Sequence, residues 1–233
     1  EYIDEDGWPH YKQTKGLPEM DAITQENYIK DMIAILFGTK FLKINKAADD
    51  IVVLSGSQAV INATDLSLQG GKLDDNGKTI NISGNIYNAG IHFSTPGTGK
   101  IVLNNTATNQ SIDGDGNGQF QNLELNNAVA GTLAVNALNN LDINGTLTFS
   151  GTGNKNLNIQ TYNLAFGPAS IIAGYNQNRY IQTSGNSGDG GITKTYTASA
   201  ASFTFPVGAP TLAPTVKPAK YTPATITING TPT

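Results

Sequence analysis

The feature that most constrains this chain is a rhythm of short strands separated by turns of Gly, Asn and Asp. "IVVL" (51–54), "LSLQ" (66–69), "TINI" (79–82), "KIVL" (100–103), "LELN" (123–126), "LDIN" (141–144) and "LNIQ" (157–160) carry the strand pattern. Between them lie "DDNGK", "TPGTGK", "DGDGNG" and "SGTGNKN". Apolar residues at a period of two, punctuated by turn residues, predict β-strands rather than helices. Leu123, Leu141 and Leu157 open a shared L-x-[LI]-[NQ] core at intervals of 18 and 16 residues, and the earlier strands are 13 to 22 apart. Imperfect repeats near twenty residues predict a solenoid, because one coil cannot bury its apolar face alone and must stack on the next. A β-sandwich, with turn signals roughly every 8 to 12 residues, stays open as the alternative, since some of these turns fall that close.

The expected fold is all-β, a right-handed parallel β-helix or solenoid-like body over 45–205. An acidic, proline-interrupted arm occupies 1–20. The segment 21–44 is expected to hold one capping α-helix and its connection to the body. Within it, Ile29, Met32, Ile33, Leu36 and Phe37 follow helical spacing, Asp21 or Thr24 caps the start and Gly38 suits the end. An open solenoid end exposes strand edges, which gives such a helix a physical purpose. Residues 206–233 hold six of the ten prolines and read as a terminal strand or linker. The chain starts at Glu1 with no leader, and so reads as a mature or excised piece.

Charge excludes some functions. Residues 1–50 hold ten acidic and six basic side chains, whereas 51–233 hold eight of each, so the body is neutral and the acidity belongs to the leading segment. No basic stripe is present to neutralise phosphates, and nucleic acid is not an expected partner. There is no cysteine, which removes disulfides, thiolate metal sites and a thiol nucleophile. No stretch approaches the roughly 18 apolar residues of a membrane span.

Three phrases raise questions of chemistry. "DGDGNGQFQNLE" (113–124) fits the calcium-loop pattern, with Asp113, Asp115, Asn117 and Glu124 as ligands and Gly118 at the turn. Its flanks read as strands, and a strand through Leu123 and Leu125 would turn Glu124 outward. Phe120 can then share the core only if a corner follows it. A solenoid corner is therefore expected, with calcium the one cofactor the pattern admits. "PGTGK" lacks the first P-loop glycine, because position 94 is Ser94, and it reads as a turn. The pairs Asp49/Asp50, Asp74/Asp75 and Asp113/Asp115 would be the carboxylates of a glycoside hydrolase, yet each sits where Asp serves turns. His10 and His92 are far apart, and His92 between Ile91 and Phe93 is expected to face solvent. In "GYNQNRY", Tyr175, Asn176, Asn178 and Tyr180 supply the rings and amides of a sugar-binding platform.

The phrases "NQSIDGDGNGQFQNLELNN", "LNNLDINGTLTFSGTGNKNLNIQTYNLAFG", "YIQTSGNSGDGGITKTYTASAASFTFPVG" and "YTPATITI" follow one another in this order. Over about residues 45 to 228 the chain resembles the repeat or stalk regions of large secreted surface proteins of Bacteroidota, the adhesin-like class associated with type IX secretion. The resemblance implies a β-rich stalk, an extracellular or cell-surface location, and attachment or display rather than catalysis. The acids at 113–115 depart from the glycine-rich turn of that family, so the calcium reading is not inherited from it.

The function expected from the sequence is a non-catalytic structural or adhesive module of a larger surface protein or filament. Its partners would be surface glycans or neighbouring protein modules, including copies of itself. Two alternatives stay open. One is a carbohydrate-binding or polysaccharide-degrading β-helix. The other is a phage tail-fibre or filament subunit that assembles by strand addition.

Overall fold

The computed structural model describes residues 2–3, 9–10, 41–127, 132–183, 188, 190–197, 201–209 and 220–229. The chain divides into two units, Glu1–Phe37 and Gly38–Thr233. In the first, Tyr2–Ile3 pairs antiparallel with Pro9–His10. The helix expected over 21–38 lies outside the described residues.

The second unit is a parallel β-solenoid of about seven turns, and the described residues are all-β. Each coil contributes one strand to each of three sheets. The first face runs from Phe41–Ile44 through Asp65–Leu68, Ile86–Asn88, Gln110–Gly114, Thr132–Ala137, Asn154–Asn158 and Arg179–Gln182 to Val207–Ala209. The second begins at Ile51–Val53 and ends at Ile192–Lys194, and the third begins at Val60–Ala63 and ends at Ile171–Ala173. The parallel register rules out the sandwich alternative for this unit, since among the described strands antiparallel pairs occur only at its C-terminal end. Val207–Ala209 pairs with Lys220–Tyr221, and Ala201–Phe205 with Ala224–Ile228. The described solenoid strands already include Phe41–Ile44, ahead of the expected boundary at 45.

Register sets the coil length. Leu66 pairs with Ile86, twenty residues on, and Ile86 with Ile112, twenty-six on. Leu123 pairs with Leu147 rather than with Leu141, which belongs to another face and pairs with Leu164. The sequence intervals of 18 and 16 therefore compared strands on different faces. Coils of unequal length stay in step because loops absorb the difference while strands keep their partners.

Alternation fills the interior with columns of apolar side chains. On the third face Ile80, Ile101, Leu123 and Leu147 form one column, and Ile82, Leu103, Leu125 and Phe149 the next, all essentially solvent-free. Burying each such side chain contributes roughly 1.5–3 kcal/mol relative to leaving it exposed. Phe120 lies on the second face and Leu123 on the third, so the expected corner falls between them.

Candidate functional site

The calcium-like phrase spans all three faces. Asp113 is on the first-face strand and its Oδ1 accepts the Gly114 N–H at 2.8 Å. Asp115, in the corner, accepts the Asn117 backbone N–H at 2.9 Å on Oδ1 and the Asn117 side-chain amide at 3.2 Å on Oδ2. Those bonds, the backbone one first, hold the Asp115 carboxyl below the usual carboxylate range. Glu124 stands on the third face, pointing away from the core as expected. Its Oε2 lies 2.5 Å from Lys100 Nζ, and its Oε1 accepts the Ser150 hydroxyl. Asp115 and Asn117 thus bond to each other while Glu124 is engaged on another face, and among the described residues no group of three or more His, Cys, Asp or Glu that could hold a metal comes together. The glycines have a different reason to be there. A Cβ on Gly114 or Gly118 would stand 2.0 or 2.1 Å from the Asn88 carbonyl oxygen of the preceding coil. The corner must lie flat on Asn88, and only glycine permits that approach.

The platform at 174–180 is also divided. Asn176 and Asn178 are exposed, whereas Tyr175 packs against the core. Tyr180 is 4% exposed, with its ring 5.9 Å from that of Tyr221. Only the two amides of the four face solvent.

His92 does not face solvent. It occupies the inward column of the second face, where Leu73 is its register partner and Phe120 follows. Nε2 lies 2.9 Å from Oδ2 of Asp75, and both side chains are 0% exposed. Asp75 Oδ1 accepts the Gly77 N–H at 2.9 Å. Gly99 closes the pair from above, since a Cβ there would meet the carboxylate at 1.9 Å. Asp74, its neighbour in sequence, binds the backbone N–H groups of Asn76 and Thr95 instead. Asp49 forms a solvent-exposed ion pair with Lys72 at 3.3 Å.

Several of the body's cations serve the turns. Lys78 donates to the carbonyls of Gly56 and Gln58 at 2.8 and 3.0 Å, one coil back. Lys194 donates to Gly167, Pro168 and Ser170 carbonyls and stands 5.1 Å from the Phe203 ring centre. Arg179 donates to the Gly151 and Gly153 carbonyls. Amides do the same between coils, as in Asn81 to Asn62 at 2.9 Å and Asn158 to Asn136 at 3.1 Å. Sequence reading missed these staples because only register brings the partners together.

The outer surface of the first face carries a shallow groove of about 370 Å³. Two outward rows border it. Register places Phe41, Asp65, Asn85 and Ser111 in one, and Ser67, Tyr87 and Asp113 in the other, with Leu138 continuing it. Asp65 Oδ1 accepts the Asn85 N–H at 2.6 Å, and Asn85 Oδ1 accepts the Ser111 N–H at 2.8 Å. Asp113, singled out in the sequence as a metal ligand, is part of this groove. The signal that could have located it is Tyr87, an aromatic at the outward position of a strand whose neighbours Ile86 and Asn88 are buried.

Comparison with family models, with curated proteins and with solved structures finds no match to this chain.

Proposed function

We propose that the chain is a non-catalytic structural and adhesive module, displayed outside the cell as part of a larger surface protein or filament. The observation that carries this reading is where the polar chemistry is spent. Asp115, Glu124, Asp75, His92, Lys78, Lys194 and Arg179 all bind partners within the solenoid, most of them one coil away. Such bonds fix one coil on the next and leave the outer rows of Asn, Ser and Asp to meet a partner. A stack of this kind is quasi-one-dimensional and keeps a fixed outer surface along its axis. The right-handed connection usual for parallel strands, and a helix over 21–38, belong to the same reading.

The polysaccharide-degrading alternative is separated from this reading by one assay. Beads carrying the chain are exposed to surfaces coated with glycans, and the same chain is incubated with soluble polysaccharides. Retention of the beads without release of new reducing ends or unsaturated products is expected. Depolymerisation would overturn the non-catalytic reading.

A further inference from the structure

Among the described residues, large apolar side chains that remain exposed are not scattered evenly over the solenoid. Ile51, Val53 and Val60 belong to the first coil, Ile171 to the sixth and Ile226 to the C-terminal strand pair. The other three, Phe41 at 51%, Tyr87 at 38% and Leu138 at 40%, all border the groove on the first face. Tyr87 and Leu138 lie on interior coils, where end effects do not explain exposure. Between them stand the carboxylates of Asp65 and Asp113, each with Oδ1 held by a backbone N–H at 2.6 and 2.8 Å. Oδ2 of each has no partner among the described residues.

We infer that this groove binds a neutral, hydroxyl-rich glycan chain, with Tyr87 stacking on a sugar ring and Asp65 and Asp113 accepting its hydroxyls. The inference deepens the adhesive reading above and rests on it. Four features select this occupant. The groove is open and shallow, unlike the enclosing pocket that buries a compact small molecule. An aromatic face flanked by pre-oriented acceptors matches a pyranose, which offers C–H groups on one side and hydroxyls around its rim. Two carboxylates, with no cation among the described residues that line the groove, disfavour acidic glycans. Strand addition by a peptide is blocked, because Asp65–Leu68, Ile86–Asn88 and Gln110–Gly114 already have both edges paired.

The test uses the full chain against arrayed neutral gluco-, galacto- and manno-oligosaccharides, with acidic oligosaccharides and a lysine-rich peptide alongside. Binding to neutral oligomers is expected. Tyr87→Ala and Asp113→Asn should each weaken it roughly tenfold, while Tyr87→Phe, which keeps the ring, retains most of it. Melting temperatures matching the parent show that the variants fold. Independently of any variant, radical footprinting of the parent chain with the bound oligomer should protect Tyr87 and leave Ile226 unchanged. No binding to neutral oligomers, preference for acidic glycans or the peptide, or binding indifferent to Tyr87→Ala in a folded variant overturns the groove assignment. Those outcomes leave the structural module standing, whereas cleavage of the oligomers would overturn the module reading itself.

Discussion

Asp75 and His92 form a carboxylate–imidazole contact of 2.9 Å inside the solenoid, with neither side chain reaching solvent. The pair is a structural device whose parts depend on each other. His92 has an aromatic-sized place between Leu73 and Phe120, so His92→Phe keeps the column filled but strands the Asp75 carboxylate with the Gly77 N–H alone. That variant should lose about 3–5 kcal/mol, the cost of leaving one buried partner unpaired. Asp75→Asn keeps an acceptor for the Gly77 N–H and offers His92 Nε2 an amide donor in place of the second oxygen, so it should lose less, about 1–2 kcal/mol. Denaturant unfolding of both single variants and the double variant should give a coupling energy above about 1 kcal/mol. Additive effects would show that the contact contributes nothing as a pair.

Asp142 presents the opposite situation. It points outward from the second face between Gln119 and Ala165, has no partner among the described residues, and burial alone raises its carboxyl above the ordinary 3.8. A raised acid binds protons in the native state that the unfolded state has released. Its contribution is therefore fully present below 3.8 and is lost as pH rises through the raised native value. Asp142→Asn should raise the melting temperature at neutral pH, and the gain should shrink and vanish as pH falls below 3.8. A gain that is independent of pH would contradict this origin.

The glycines of the 113–118 corner should differ sharply. Gly118→Ala pushes a Cβ against the Asn88 carbonyl at 2.1 Å and should cost about 2–4 kcal/mol. Gly116 adopts φ +87 with its Cβ position 3.0 Å from the Asn139 side-chain oxygen, so Gly116→Ala should cost about 1 kcal/mol. Thermal unfolding ranks the two. Equal costs would mean that turn conformation, rather than contact with the preceding coil, selects glycine here.

Glu124 is spoken for by Lys100 and Ser150, and the remaining members of the calcium-like phrase bind their own turn. Melting curves in millimolar calcium and in chelator should coincide, because an ion bound only by the native state must raise the midpoint. Glu124→Gln should lower stability by about 1 kcal/mol, the scale of a partly screened ion pair, in either buffer. A calcium-dependent rise would show that the phrase binds the ion.

The alternation of "TINI", "KIVL" and "LELN" made the strands and their inward faces legible, and the Gly/Asn/Asp turns made the solenoid legible. The same logic failed at "IHF". Ile91 and Phe93 look like the apolar pair of a strand, yet the column defined by Leu73 and Phe120 turns His92 inward, and Asp75 seventeen residues away makes that tolerable. Repeat length was misread because similar phrases recur on different faces. The groove was not legible, since Phe41, Tyr87, Asp113 and Leu138 meet only through register. The turn contacts of Lys78 and Lys194 were not legible for the same reason.

Register is the claim on which the rest depends, and the absence of cysteine allows a clean test of it. Asn62 and Asn81 are outward partners on the third face, as are Asn136 and Asn158 on the first. Parallel neighbours lie roughly 4.8 Å apart, within disulfide reach. Mild oxidation of Asn62→Cys/Asn81→Cys and of Asn136→Cys/Asn158→Cys should give intramolecular disulfides in both, read as a mobility shift on non-reducing gels. Asn62→Cys/Thr79→Cys, two residues out of step, should not close. Failure of both in-register pairs, or equal closure of the out-of-step pair, would contradict the solenoid.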